Sequence, residues 1–277
     1  MDNKIITELD YYDGSDLLAE GDFRISPSGM SRFFSATSKW YREGFLGEKN
    51  FESNTATVLG TIVHYIAEQY AKEQMLSEHA REQIELYIKK YCSIQSADYN
   101  IEVDKQILLT QYKLMAEELI NSYVATHIPD ESEKFMLHDF GDGVQIGGSC
   151  DAYHNSGVIG DYKTTSAKTA PTRISYPYKV QLLTYAWLFR KRGMPANTIR
   201  LIFVTRSDIG RVSEKTGKPL KQYPSEVTIV EEVITSEDWE FIEGVIDIMH
   251  HSVLTWQNHP ELRHLLAQDN RLEEGKQ

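Results

Sequence analysis

Two short apolar runs separated by turn-forming residues constrain the fold of this chain more than any other feature. Residues 147–153 (GGSCDAY) and residues 158–164 (VIGDYKT) flank the cluster HNSG at residues 154–157. Apolar runs bounded by such a cluster are typical of two β-strands joined by a tight turn. We therefore interpret residues 147–164 as a β-hairpin, and this geometry decides where its charged side chains point.

The charged residues of the hairpin predict a polar site. Asp151 lies near the end of the first strand and Asp161 near the end of the second. Because side chains alternate along a strand, Asp161 and Lys163 should share one face, with Tyr162 on the other. Two carboxylates and an ammonium group are costly to desolvate unless they pair or hold a cation, and carboxylate oxygens suit Mg²⁺ or Mn²⁺. From these residues alone, a plain ion pair between Asp161 and Lys163 remains the alternative.

A later motif joins the hairpin residues. Gln181 and Tyr185 are four positions apart on a predicted helix, so they should lie on one helical face. The order Asp151, then Asp161-x-Lys163, then Gln181-x-x-x-Tyr185 resembles the PD-(D/E)XK nuclease superfamily.

An upstream motif narrows the resemblance. Residues 60–68 carry the pattern G-T-x-x-H-x-x-x-E, which is similar to the RecB-like exonuclease branch, where a histidine on a helix joins the metal ligands. In that branch a Cys-Pro pair often begins an iron–sulfur cluster. Here Ala36-Thr37 occupies that position, and the chain contains two cysteines, Cys92 and Cys150. We therefore expect the branch without its iron–sulfur cluster.

The resemblance covers most of the chain and implies its fold. It implies an α/β protein with a PD-(D/E)XK restriction-endonuclease-like core, in which helices flank a mixed central sheet, and with an N-terminal helical part. We expect an acidic segment at residues 1–24, a single nuclease domain at 25–259 and a polar tail at 260–277. Within the domain, residues 25–128 should be mainly helical and residues 129–259 should form the catalytic core.

The resemblance also implies a metal site. His64, Asp151 and Asp161 would bind Mg²⁺ or Mn²⁺, with the backbone carbonyl of Tyr162 as a further ligand. An imidazole ligand favours Mn²⁺ relative to an all-oxygen site. Lys163 would position or deprotonate the attacking water, or stabilise charge on the phosphorane, and the sequence leaves this choice open. Considered without the resemblance, a single histidine among apolar residues is usually a hydrogen-bonded core residue.

Three more side chains would support that site. Gln181 and Tyr185 would orient the water or the phosphate, and Glu68, one helical turn after His64, would orient the imidazole from outside the ligand set. The alternatives are an exposed amide for Gln181 and an ordinary surface position for Glu68.

The charge distribution favours contact with DNA although the net charge is −12. Residues 163–221 contain 13 Lys and Arg but only two acidic residues, which leaves 16 basic and 39 acidic residues elsewhere. Such a basic segment is the electrostatic signature of a phosphate-binding surface. We expect Lys168, Arg173 and Lys179 to contact DNA, and the alternative is a solvated basic face.

Missing sequence patterns indicate where the protein is expected in the cell. No apolar run approaches the roughly 20 residues that a membrane-spanning helix needs. The N-terminus lacks a charged-then-apolar signal pattern. We therefore expect a cytoplasmic protein of a bacterial or phage-infected cell, without a membrane partner. The absence of a G-x-x-x-x-G-K-[ST] motif indicates that the chain does not drive DNA unwinding itself.

Together these features predict a metal-dependent deoxyribonuclease. We expect an exonuclease that hydrolyses phosphodiester bonds at single- or double-stranded DNA ends during recombination, repair or end processing. A phage-encoded origin and a recombination or single-strand-binding partner protein fit this expectation. A structure-specific endonuclease and a non-catalytic DNA-binding or scaffold protein on the same fold are the alternatives.

Overall fold

The computed structural model describes residues 7–9, 18–19, 22–45, 54–94, 101–166, 171–206, 216–218 and 223–262. Within these ranges the α-helices are α1 (Met30–Ser35), α2 (Thr37–Phe45), α3 (Thr55–Glu73), α4 (Glu78–Ile94), α5 (Ile101–Leu119), α6 (Tyr176–Lys191) and α7 (Ser236–Asn258). The strands are β1 (Phe23–Ile25), β2 (Glu131–Asp139), β3 (Val144–His154), β4 (Val158–Thr165), β5 (Thr198–Thr205) and β6 (Val227–Val233). Short 3₁₀ turns occupy Pro27–Gly29 and Pro260–Leu262, and a π-helical turn, Ile120–Val124, continues α5.

The described strands form one mixed sheet in the order β1-β3-β4-β5-β6, with β2 paired to β3. β4 and β5 are parallel and are joined by the crossover helix α6, whereas β3 is antiparallel to β2 and β4. Helices cover both faces, and α1 to α5 precede the main strands. The predicted architecture, a mixed central sheet flanked by helices with an N-terminal helical part, is confirmed.

Strand β3 has neighbours on two edges, and one edge is interrupted. β2 runs along one edge, while β1 pairs with residues 144–146 and β4 with residues 152–154 on the other. On that second edge, residues 147–151 have no strand partner within the described part of the chain. We call the divergence of β3 residues 147–151 from β4 residues 161–165 the fork.

Two hydrophobic cores lie on opposite faces of the sheet. One contains residues of α1, α2, α6 and α7, and the other contains residues of α3, α4 and α5. Side chains of β4 and β5 alternate between them, as period-2 patterning requires. The first core takes Ile159, Leu201 and Phe203, and the second takes Tyr162, Ile202 and Val204. No helix in the described ranges combines the length and hydropathy of a membrane span.

The start of α7 is capped by Thr235 rather than by the neighbouring Ser236. Thr235 Oγ1 accepts the Asp238 N–H at 3.2 Å. The Asp238 carboxylate accepts the Thr235 N–H at 3.0 Å in return. This reciprocal capping requires an acceptor side chain three residues after the cap, and Trp239 cannot supply one for Ser236.

The 3₁₀ turn at Pro27–Gly29 has no side-chain cap. Ser26 precedes the 3₁₀ turn at Pro27–Gly29, but its side chain makes no capping hydrogen bond. Its hydroxyl lies 3.0 Å from that of Ser28 instead. Pro27 lies at the start of the turn as expected, because its missing N–H needs no partner there.

The packing of β2 on β3 predicts the effect of a single methyl group. A Cβ added at Gly147 would lie 2.6 Å from the backbone oxygen of Met136 and 2.8 Å from Leu137 Cδ1. We expect Gly147→Ala to lower the free energy of unfolding by about 1–3 kcal/mol, because β2 must shift away. Urea denaturation measures this change. Gly244→Ala on α7, where an added Cβ meets no atom within 4 Å, should instead raise stability by about 0.5–1 kcal/mol. Equal effects of the two substitutions would contradict the close packing of β2 against β3.

Candidate active site

Asp151 lies where the pairing between β3 and β4 ends. The last pair on this side is Ala152 with Gly160. One position further, Asp151 Oδ2 accepts a hydrogen bond from the Tyr162 N–H at 2.8 Å. A side-chain carboxylate thus satisfies a buried N–H that a backbone carbonyl would otherwise have to satisfy. The two strands can separate without leaving this donor unpaired, and the Asp151 carboxylate is fixed at the mouth of the fork.

Side-chain alternation is interrupted at the same position. Alternation places positions 150 and 152 on one face, yet Cys150 belongs to the core of α6 and α7 whereas Ala152 belongs to the core of α3 to α5. On β2, Glu133 lies between the partners of these two residues, and so opposite Asp151. Its φ of +48° is in the left-handed region, which costs a non-glycine residue on the order of 1 kcal/mol. Strain of this kind persists where the surrounding structure enforces it, and it is common at functional sites.

His64 reaches the fork from α3. The side chain of Asn54 caps this helix by accepting two N–H groups of its first turn. His64 Nδ1 lies 3.2 Å from Asp151 Oδ2 and 3.8 Å from Glu133 Oε1. Burial alone would lower the pKa of His64, but the charge of Asp151 and its hydrogen bond to the ring raise that pKa to about 10. The two carboxylates therefore favour the protonated imidazole when no cation is bound, and a metal ion that binds at Nδ1 would replace this proton.

Asp161 and Lys163 lie on the face of β4 that is covered by α6. Lys163 Nζ lies 2.7 Å from Asp161 Oδ2 and donates a hydrogen bond to Oδ1 at 2.9 Å. Gln181 Nε2 donates to the same Oδ1 at 2.9 Å. The Tyr178 ring centroid is 5.4 Å from Nζ, within the range of a cation–π contact. The predicted hairpin and the predicted shared face of Asp161 and Lys163 are both present.

The charges of the site are balanced by neighbours rather than by water. Burial raises the pKa of Asp161 to about 6, although Lys163 opposes the shift. Burial would also raise the pKa of Asp151, but the charge and hydrogen bond of His64 bring it below its ordinary value. Burial would lower the pKa of Lys163, yet the charges of Asp161 and Asp151 raise it. Desolvation raises the pKa of Glu133. The three carboxylates and two basic groups around the fork therefore depend on one another for their charge states.

Tyr185 lies one helical turn after Gln181 and faces the fork. A Cβ at Gly148 would be 3.2 Å from the Tyr185 hydroxyl oxygen and 3.1 Å from Pro27 Cδ. The absence of a side chain at position 148 therefore gives Tyr185 its place over β3. The i,i+4 spacing brings Gln181 to Asp161 and Tyr185 to Gly148.

Glu68 is placed differently from the sequence expectation. Its Oε1 pairs with Lys72 Nζ, one turn further along α3. The carboxylates that lie beside His64 Nδ1 belong to Asp151 and Glu133.

The three residues expected to contact DNA have different surroundings. Arg173 is exposed just before α6. Lys179 Nζ lies 3.0 Å from Glu232 Oε2 and 2.9 Å from Asp238 Oδ1. Its charge is already compensated, and it ties α6 to β6 and α7. Lys168 lies outside the described residues.

Comparison of the sequence with known protein families identifies the superfamily of this chain. Residues 24–252 match the sequence pattern that defines the PD-(D/E)XK nuclease superfamily. The chain belongs to this superfamily. The resemblance carried by Asp151, Asp161-x-Lys163 and Gln181-x-x-x-Tyr185 is thereby confirmed.

One solved structure agrees with the superfamily assignment at the level of the fold. A candidate exonuclease from Eubacterium rectale is 15% identical, with a TM-score of 0.57 over 91% of this chain and 86% of that one. A phage-related exonuclease from Haemophilus somnus is 14% identical, with a TM-score of 0.32 over 74% of this chain and 94% of that one. A search of curated protein sequences finds no significant match.

Superfamily members typically use divalent metals, and one group of side chains fits such an ion. One ligand atom each from His64, Glu133 and Asp151 lies within 4.8 Å of the other two. Ligands lie roughly 2.0–2.6 Å from a hard divalent cation, so two ligands of one ion are at most about 5 Å apart. The three atoms meet this condition. Asp161 is not among them, since its carboxylate contacts Lys163 and Gln181.

Glu133 is the site residue that the sequence interpretation missed. It has no motif spacing of its own, and its position in β2 is separated from Asp151 by a turn. A signal was nevertheless available, because the predicted turn at residues 141–143 fixes the register. Counting outward from this turn, the pair Asp139–Gln145 leads to Glu133 opposite Asp151.

Because the backbone of Glu133 is strained, the effect of its conformation on stability can be measured separately from the effect of its carboxylate on metal binding. Glu133→Gly should be more stable than Glu133→Ala by about 1 kcal/mol, because glycine adopts a positive φ without steric cost. Both variants should bind Mn²⁺ more weakly than the wild type, because each removes a carboxylate that faces the metal-binding group. Chemical denaturation measures the stability difference, and calorimetric titration with Mn²⁺ measures the affinity. Wild-type Mn²⁺ affinity in both variants would remove Glu133 from the site.

Proposed function

We propose that this protein is a divalent-metal-dependent deoxyribonuclease that hydrolyses phosphodiester bonds at DNA ends. One observation carries the proposal: the fork brings His64, Asp151 and Glu133 together at the end of β3, next to Asp161 and Lys163 at the same end of β4. Asp151 and Asp161 are buried, His64, Glu133 and Lys163 are partly exposed, and the chain has a nuclease superfamily fold.

His64, Asp151 and Glu133 would hold Mg²⁺ or Mn²⁺. Asp161 and the backbone carbonyl of Tyr162 would be further ligands. A bound ion would polarise the scissile phosphate and lower the pKa of a water molecule. The mixed imidazole and carboxylate donors favour Mn²⁺ somewhat more than an all-oxygen site would.

The other side chains would act on the phosphate and the water. Lys163 places an ammonium group beside Asp161, where it can donate a hydrogen bond to a phosphate oxygen and stabilise developing negative charge. Gln181 donates to Asp161 and restrains its carboxylate. Tyr185 lies one turn away over β3, and its hydroxyl would orient the phosphate. Glu68, paired with Lys72, would act only through the orientation of α3.

Exonuclease action is the form of this activity that we favour. The histidine on α3 resembles the metal-ligating histidine of the RecB-like branch, and the similar protein from Eubacterium rectale is described as a candidate exonuclease. We propose a cytoplasmic role in recombination, repair or end processing of bacterial or phage DNA, with a recombination or single-strand-binding protein as partner. A comparison of linear and circular DNA distinguishes exonuclease from endonuclease action, since an exonuclease degrades only molecules with ends.

The catalytic assignment predicts the effect of two substitutions. Asp161→Ala and Lys163→Ala should each reduce cleavage of labelled linear DNA by about a thousandfold or more, since several kcal/mol of transition-state stabilisation would be lost. Wild-type cleavage should require Mg²⁺ or Mn²⁺ and stop with a chelator. Lys134→Ala is the matched control, because Lys134 pairs with Glu131 on the neighbouring strand β2. Near-normal turnover in Asp161→Ala or Lys163→Ala would contradict the assignment of these residues to the catalytic site. DNA binding without any cleavage by the wild type would favour the scaffold alternative.

Ion pairing decides which basic residues should contribute to DNA binding. Arg173→Gln should make the slope of log affinity against log salt shallower by roughly 0.7–0.9, the change for one lost phosphate contact. Lys179→Gln should leave this slope unchanged, because Glu232 and Asp238 already compensate the Lys179 charge. Lys89→Gln, on the exposed side of α4, controls for net charge. Fluorescence anisotropy across a salt series gives the slopes, and equal slopes for Arg173→Gln and Lys89→Gln would exclude Arg173 from the DNA surface.

A further inference from the structure

Tyr162 connects the two faces of the sheet at the proposed metal site. Its neighbours in β4, Asp161 and Lys163, face α6, whereas its own ring belongs to the core of α3 to α5 and is 2% exposed. Its N–H is held by Asp151. A displacement of the Tyr162 ring would therefore move the backbone that carries both charged neighbours.

Two aromatic rings pack edge-to-face with the ring of Tyr162. The His64 ring lies at a centroid distance of 6.2 Å and an interplanar angle of 76°. The Tyr123 ring lies at a centroid distance of 6.2 Å and an interplanar angle of 78°. Edge-to-face pairs of this kind have a preferred geometry, so each ring restricts the orientation of the next.

Tyr123 is itself fixed by polar contacts that a purely apolar core position would not need. Arg200 Nη1 donates to its hydroxyl at 2.9 Å, and the same guanidinium pairs with Glu231 on β6 at 3.0 Å. On the other side, the His127 ring stacks on it at 4.5 Å with an interplanar angle of 5°. Tyr123 is 1% exposed. Its ring is thus restrained along its face and at its hydroxyl end.

The backbone around Tyr123 is unusual as well. The residue lies in the π-helical turn at Ile120–Val124 that ends α5. A π-helical turn contains about one residue more than an α-helical turn and so re-aims the side chains that follow; such turns are rare and are often found at functional sites. Here the turn places an aromatic ring behind the fork.

We propose that Tyr123 is a positioning residue for the metal site, acting through the ring of Tyr162 on His64 and on the Asp161–Lys163 segment. This inference rests on the proposed nuclease function. It extends the site beyond the residues that would touch the ion or the phosphate, to a tyrosine held by Arg200 on the opposite face of the sheet. Support from outside the ligand set typically changes metal affinity or activity by about ten- to a hundredfold.

The test compares two tyrosines of the same core. Tyr123→Leu removes the ring behind Tyr162 and should weaken Mn²⁺ binding and lower kcat by about ten- to a hundredfold, with KM for DNA changed less than about twofold. Tyr112→Leu, at a 1% exposed tyrosine of α5 in the same core, should lower the melting temperature but leave Mn²⁺ affinity and kcat near wild type. Tyr123→Phe keeps the ring and should restore Mn²⁺ affinity and kcat to within about twofold of wild type, despite loss of the Arg200 hydrogen bond.

A double variant tests whether Tyr123 acts through Tyr162. In a Tyr162→Leu background, Tyr123→Leu should cause little further loss of Mn²⁺ affinity, because the connecting ring is already absent. Should Tyr123→Leu fail to fold, as judged by circular dichroism, Tyr123→Met takes its place, since methionine fills space without a flat ring.

The outcomes separate this inference from the proposed function. Equal Mn²⁺ affinity and kcat in Tyr123→Leu and Tyr112→Leu, or additive losses in the double variant, would overturn the positioning role while leaving the nuclease activity intact. A wild-type protein that neither binds Mn²⁺ nor cleaves DNA would instead overturn the proposed function.

Discussion

The hydrogen bond from the Tyr162 N–H to the Asp151 carboxylate is the interaction on which the rest of the site depends. Two antiparallel strands that diverge leave backbone donors without partners, and a buried unpaired donor costs about 1–3 kcal/mol. Asp151 satisfies that donor and so allows the fork to open. At the open fork, His64 of α3 contacts Asp151 of β3, and Gln181 of α6 contacts Asp161 of β4.

The fork also explains how buried Asp151 and Asp161 can lie among partly exposed charged groups. An isolated charge in an apolar interior costs several kcal/mol. Here His64 lies between Asp151 and Glu133, and Lys163 bridges both oxygens of Asp161. Each cation is therefore held by carboxylates rather than by water. A cluster of this kind is a poor way to stabilise a fold, because removing any member leaves its partner uncompensated. Its presence at the end of two strands is better explained by chemistry than by stability.

The net charge and the distribution of charge along the sequence do not show which basic residues are available to bind DNA. The basic stretch from residue 163 to residue 221 suggests one continuous surface for phosphates. In the structure, however, Lys163, Lys179 and Arg200 each lie within ion-pair distance of acidic residues from β4, β6 or α7. Lys179 and Arg200 link elements of the fold, whereas Lys163 pairs within β4. Only a basic residue that is exposed and uncompensated adds strongly to a salt-dependent interaction with DNA, and sequence does not distinguish the two kinds.

The sequence by itself determined the hairpin, the shared face of Asp161 and Lys163, the helical motif that carries His64 and the superfamily fold. The hairpin and the shared face follow from local rules, since strand alternation and turn chemistry act over a few residues. The His64 motif and the superfamily fold follow from the resemblance. Only the tertiary structure decided that Glu133, rather than Glu68, lies beside His64, that Lys179 is compensated, and that Tyr123 lies behind Tyr162. The physical reason is that these contacts join residues far apart in the chain, and their geometry depends on strand register, on a strained residue opposite Asp151 and on a π-helical turn. None of these has a short sequence pattern, because each is imposed by the packing of neighbouring elements.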